Sequence, residues 1–186
     1  MEAFKPPERY TVSEWADKYR VLTNISAEPG RWRTARTPYL KEPMDKFTDP
    51  LIESISLCFG AQIGKTEAEL NMIGYALHQT ASPVMMVYPT DTIAKFASDK
   101  RVQPMIRSVE PLANMYDEGS KLLELDFVNG NYMVLVGGTH QAAYQVGQLS
   151  TYSLMKLISI QLSPVRKQIR LSWLRNAPRH SLIRRL

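Results

Sequence analysis

The chain's 186 residues are enough for one domain with a sizeable core, and an apolar content of 44% is ordinary for a globular protein. The longest apolar runs are too short to cross a bilayer, and Met1 to Glu8 hold no apolar signal region, so a cytoplasmic protein is the default expectation. A single cysteine, Cys58, excludes an internal disulfide and a cysteine-cluster metal site, and His78, His140 and His180 show no ligand spacing.

The net charge of +5 is unevenly spread. All 18 acidic residues lie between Glu2 and Asp126, where 15 Lys and Arg leave a net −3, whereas the last 60 residues carry 8 Lys and Arg and no acid. A tail of that kind suggests contact with nucleic acid or a membrane surface; a different origin is argued below.

In chain order, residues 1–10 are proline-rich and read as an arm. Thr11 and Glu14 have the spacing of a capping box, which predicts a helix through Trp15 to about Tyr19. Residues 21–37 look irregular, with Pro29-Gly30 as a turn signal. Residues 51–58 alternate and are rich in strand formers, which predicts a strand. Strong helix formers follow from Glu67 to Leu77, with Leu70, Ile73, Ala76 and Leu77 on one face. The run of residues 83–88 is continuously apolar, as a central parallel strand would be. Pro89-Thr90-Asp91 ends it and caps a helix expected over about 92–107. Two strands joined through the first of these helices would make a βαβ unit. Residues 122–128 and 132–136 flank Asn129-Gly130-Asn131, a strong hairpin signal, and Gly137-Gly138 follows.

Between the first predicted strand and its helix lies Phe59-Gly60-Ala61-Gln62-Ile63-Gly64-Lys65-Thr66. Gly64-Lys65-Thr66 supplies the end of a phosphate-binding loop, in which a lysine reaches the β- and γ-phosphates and a hydroxyl reaches Mg²⁺. The first glycine of that motif falls at position 59, which holds Phe59, and Gly60 comes one residue late. A plain turn with a solvated lysine is the competing reading. The strand–loop–helix flanks favour phosphate binding, because the helix N-terminus then faces the anion with unpaired N–H groups.

The order of landmarks carries more than any one of them. Ser13-Glu14-Trp15-Ala16-Asp17-Lys18-Tyr19-Arg20 is followed by Pro29-Gly30-Arg31-Trp32, Thr37-Pro38-Tyr39 and Pro43-Met44-Asp45. Then come Gln62-Ile63-Gly64-Lys65-Thr66, Val87-Tyr88-Pro89-Thr90 and Arg101-Val102-Gln103-Pro104-Met105-Ile106. Over about residues 8–138 this resembles the N-terminal ATPase region of the lambda-type (GpA-like) phage terminase large subunit. The resemblance implies an α/β fold: an incomplete P-loop NTPase domain with a mostly parallel sheet, preceded by a helical arm. It divides the chain into an arm and helix over 1–50, a partial ATPase domain over 51–138 and a basic tail over 139–186. It implies a motor that hydrolyses ATP with Mg²⁺ to drive viral double-stranded DNA into a capsid. Such a motor works in the host cytoplasm with a terminase small subunit and a portal as partners and no membrane. ATP would be held by Gly60, Ala61, Gln62, Ile63, Gly64, Lys65 and Thr66, with Thr66 on the Mg²⁺. From its place ahead of the loop, Tyr39 is the candidate adenine contact, against the alternative of a packed aromatic.

The resemblance also implies an Asp-Glu segment shortly after Gly137-Gly138, one acid for Mg²⁺ and a glutamate to activate water. No acid follows Asp126, so neither that pair nor an acidic nuclease centre is expected in this chain. A permitted coding of residues 154–160, read two bases further on, encodes Asp-Glu-Val-Asp-Lys-Tyr, and the same offset over 166–183 gives another acid-rich run. The tail is therefore read as out of frame from near Gly138 or Thr139, the chain as truncated, and the tail as poorly ordered. The rival reading is a genuine basic segment whose Arg166, Lys167, Arg170, Arg175, Arg179, Arg184 and Arg185 contact DNA phosphates. A helicase-like translocase and a prophage remnant without enzymatic role remain as alternative functions.

Overall fold

The computed structural model describes residues 8–24, 26, 28–52, 54–60 and 62–138, and the backbone of 156–159. Residues 1–7 of the arm expected over 1–10, and the tail apart from 156–159, lie outside the described residues.

The first helix, α1 (Val12–Tyr19), begins as its sequence predicts: Thr11 Oγ1 accepts from Glu14 N–H while Thr11 N–H donates to Glu14 Oε2 at 2.8 Å. Residues 21–37 are less irregular than expected. Val21–Leu22 (β1) pairs antiparallel with Gly30–Arg31 (β2), and single 3₁₀ turns follow at Thr34–Arg36 and Pro38–Leu40. The short helix α2 (Lys41–Lys46) is pinned to α1 through Asp45, whose carboxylate accepts from both the N–H and the hydroxyl of Ser13 at 2.9 Å.

The longest helix, α3 (Lys65–His78), is the centre of the core. Its predicted apolar face is buried at Leu70, Ile73, Ala76 and Leu77, and burial continues through Ala68, Met72 and Tyr75. It is enclosed because α1, α2, α6 (Glu110–Ala113) and strand β3 (Val84–Tyr88) all pack on it. Each buried Leu or Ile there contributes roughly 1.5–3 kcal/mol of transfer free energy.

The sheet order is β4–β5–β3–β6, with β4 Glu124–Asp126, β5 Tyr132–Gly137 and β6 Lys156–Ser159. As predicted, β3 is a central parallel strand, pairing with β5 (Met86 opposite Leu135) and with β6 (Met86 opposite Ile158). The hairpin β4–β5 is antiparallel, turning at Asn129-Gly130-Asn131, where Gly130 takes a φ of +78°. The sheet is thus mixed, in an α/β arrangement.

Three expectations need correction. Residues 51–58 form no strand among the described residues. Their side chains do alternate, Ile55, Leu57 and Phe59 half-buried and Ser54, Ser56 and Cys58 exposed, as an extended segment does. What is lacking is a ladder partner, for both edges of β3 are taken by β5 and β6. The parallel crossover therefore does not run through α3; the chain passes from β3 to β5 by way of α4 (Asp91–Ala97), α5 (Gln103–Ser108) and α6. The helix expected over about 92–107 starts on cue, with Thr90 Oγ1 accepting from Ile93 N–H, but a wider π turn at Ser98–Val102 separates α4 from α5. Pro104 accounts for the break, since it has no N–H for the ladder and its ring crowds the preceding turn.

Candidate phosphate-binding loop

The loop before α3 is shaped by two left-handed residues, Gln62 at φ +57° and Gly64 at φ +86°. Gly64 suits that conformation, lacking a Cβ. A side chain at Gly64 would also meet Leu40 Cδ1 at 3.1 Å, whereas Gly60 faces open space. Helix α3 starts at Lys65, so Lys65 and Thr66 are its first two residues, and its N-cap, Gly64, has no side chain to cap it; among the described residues no other side chain does so.

Three contacts fix the loop. The Lys65 ammonium donates across its mouth to the Phe59 carbonyl at 3.1 Å. The Tyr39 hydroxyl donates to the Ile63 carbonyl at 3.1 Å, and the Tyr39 ring meets Phe59 edge-to-face at a centroid distance of 6.1 Å. Tyr39 is still 47% exposed, which leaves ring surface for a ligand. Phe59 therefore has a packing role where the motif expects glycine: it rests partly on the core and carries the carbonyl that Lys65 holds.

The structure brings Gly60, Gln62, Ile63, Gly64, Lys65, Thr66 and Tyr39 together; Ala61 lies outside the described residues. Their arrangement suits a phosphate: uncapped first-turn N–H groups, an unobstructed glycine, and a lysine whose present partner is a neutral carbonyl that an anion can replace. Thr66 carries its hydroxyl in the first turn of the helix, where a Mg²⁺ shared with that phosphate would need an oxygen ligand.

Two acids on α3 escaped the reading of the sequence. Glu67 is ion-paired to the buried Arg20, with Nη2 to Oε2 at 2.8 Å. Glu69, one turn beyond Lys65, has a buried Oε2 with no hydrogen-bond partner. Burial pushes the Glu69 carboxyl up to about 7, against the pull of Lys65. Burial, joined by the Glu69 charge, pushes the Tyr88 phenol at the end of β3 to about 12, while Arg101 opposes it. Both acids were visible in the first turns of a predicted helix, but only the packing sets them apart.

A profile of the phage terminase large subunit gpA, ATPase domain, matches residues 26–147. This chain belongs to that family. The match starts after α1 and takes in the loop, α3, β3 and the β4–β5 hairpin. Over 110 residues the chain is 28% identical to the "Terminase, large subunit" of Enterobacteria phage P21, covering 59% of this chain and 17% of that relative. The chain thus spans about a sixth of the relative's length. No solved structure matches it. The loop at 59–66 lies inside the matched region.

Proposed function

We propose that this chain is the nucleotide-holding part of a phage DNA-packaging motor, and that it binds MgATP with little turnover. The observation that carries the reading is the first turn of α3: a left-handed Gly64, no side-chain cap, and Lys65 held across the loop mouth, all within the ATPase family match. Lys65 would exchange the Phe59 carbonyl for phosphate oxygens and Thr66 would face the Mg²⁺. The exposed part of the Tyr39 ring would contact the adenine. Bound MgATP supplies the phosphoryl group and the metal charge. The residues on this side of the sheet bind and orient.

Low turnover is inferred from the absence of any acid after Asp126, where an activating glutamate would be expected. A tail read out of frame accounts for that absence; the family match ends at 147, ahead of the segment whose shifted reading is acidic. Sequencing the gene through that region decides it, and a downstream frame with no Asp-Glu codons would sink the idea. In the assembled motor the partners would be viral double-stranded DNA, a small subunit and a portal.

The test of the site is thermal melting with and without MgATP. A ligand at about a hundredfold its Kd stabilises the folded state by about 2.7 kcal/mol, a shift of roughly 5–10 °C for a chain of this size. Lys65→Ala is expected to abolish the shift. An equal shift in that variant, or none in the parent chain, refutes the site; rapid steady hydrolysis lost in Lys65→Ala refutes the low-turnover reading.

A further inference from the structure

We propose that Arg20 is a positioning residue of the nucleotide site: it holds Glu67 away from the N-terminus of α3, so that the first-turn N–H groups stay free for phosphate. This rests on the nucleotide-binding reading above and adds to it a residue ahead of the matched family region.

With Gly64 as N-cap, Glu67 is the third residue of α3. A glutamate at that place can reach back to the N-cap N–H, as it does in a capping box, and the helix dipole attracts its charge to the same spot. Here such self-capping would put a carboxylate where the phosphate must go. It does not happen, because both carboxylate oxygens are engaged elsewhere. Arg20 Nη2 donates to Oε2 at 2.8 Å and Ser26 Oγ donates to Oε1 at 3.3 Å. Among the described residues, the N-terminus of α3 is left without a side-chain cap.

Arg20 is built for that hold. It stands at the C-terminus of α1, its N–H on the Ala16 carbonyl and its own carbonyl accepting from Trp32 N–H at 3.0 Å. Its Nη1 donates to the Val21 carbonyl, and the residue is only 3% exposed. Its Nε has no partner among the described residues. Stability alone gives a weak reason for this arrangement, because burying an ion pair with an unsatisfied donor costs desolvation that an apolar pair of the same volume avoids. A pair that removes a competing anion from a phosphate site has a reason to be charged.

MgATP affinity, measured by isothermal titration calorimetry, tests this in Arg20→Met, Glu67→Ala and the double variant, each first shown to be folded by near-ultraviolet circular dichroism. Freed from its clamp, Glu67 competes with phosphate, and Arg20→Met is expected to bind about tenfold more weakly, the worth of one charge-assisted contact. Glu67→Ala keeps the parent affinity to within about threefold, and the double variant recovers to the same range, since the competitor is gone. If Arg20→Met fails to fold, Arg20→Lys takes its place. It clamps Glu67 through a single point and is expected to lose about threefold, again restored by Glu67→Ala. A purely structural brace predicts instead that both single variants weaken binding and that the double does not recover; that pattern overturns the proposal. Parent-like affinity in Arg20→Met also overturns it, leaving the nucleotide site intact. A parent chain that binds no MgATP overturns the site and this inference together.

Discussion

Gly74 lies on α3 opposite α1, and replacing it with alanine measures how firmly the two helices are locked. A Cβ at Gly74 would stand 2.3 Å from Trp15 Cη2, 2.9 Å from Cζ3 and 3.2 Å from Cζ2. Carbon atoms in good contact are about 3.5–4.0 Å apart, so the indole must move by more than an ångström. It has nowhere to go, for it is fully buried, its Nε1–H donates to His78 Nδ1 at 2.9 Å, and α1 is held on α2 through Asp45. Overpacking costs about 2–3 kcal/mol, and loss of the indole hydrogen bond adds about 1 kcal/mol. Against this, alanine improves helix propensity by about 1 kcal/mol. The net expectation is a loss of about 2–3 kcal/mol, seen as a lower urea midpoint and a fall in Tm of roughly 5–10 °C. Trp15→Leu in the same background removes the clash. The double-mutant cycle should then show a coupling of at least about 1 kcal/mol. A Gly74→Ala variant as stable as the parent, or additive effects in the cycle, would refute the packing described for α1 and α3.

Other substitutions probe charge and close approach. The indole N–H is only a donor, so His78 Nδ1 must accept and the imidazole is neutral; burial also lowers its proton affinity from the ordinary 6.5. The folded value being the lower one, this contribution is complete above pH 6.5 and is lost as the pH falls below it. The stability gap between the parent and His78→Gln should therefore shrink as the pH falls below 6.5, and a gap independent of pH would contradict the assignment. Glu69 behaves oppositely: its folded value, about 7, lies above the ordinary 4.5, so ionising it costs stability as the pH rises through that window. Glu69→Gln should match the parent near pH 4.5 and exceed it by about 2–3 kcal/mol at pH 8, by urea denaturation; a variant weaker at pH 8 would show that the charge is satisfied. Gly137→Ala would place a Cβ 2.1 Å from the Asp91 nitrogen, against backbone that cannot swing aside. A loss above about 3 kcal/mol is expected, and a neutral effect would mean that β5 and α4 do not meet as described.

Local patterns carried well from sequence to structure. The Thr11–Glu14 capping box, the apolar face of α3, the buried run of β3 and the Asn129-Gly130-Asn131 turn each depend on neighbours within a few positions, and each formed where expected. Residues 51–58 show the limit of that logic. Alternation was present, but a strand is completed by its partner, and pairing is decided far along the chain. The π turn was legible only in hindsight through Pro104. The clamp on Glu67 was illegible for a related reason: Arg20 lies 47 positions away, and nothing local marks its charge as buried. At the loop, Phe59 looked like a defect in a glycine motif, yet its carbonyl and ring are what hold Lys65 and Tyr39.

The two partners of β3 have a consequence for the order in which the protein is made. Val84 pairs with Met133 and with Lys156, so β3 leaves the ribosome roughly 50 residues before its first neighbour and roughly 70 before its second. At about 5–20 residues per second, the strand waits several seconds with both edges open. Val84, Met85, Met86 and Tyr88 are all buried in the finished sheet, so the waiting strand exposes a continuous apolar stretch. Helix α3 is already complete by then and packs on β3 in the finished fold. If the core of α1, α2 and α3 shelters β3 during synthesis, changes that loosen it should reduce soluble yield more than they reduce the stability of the finished fold.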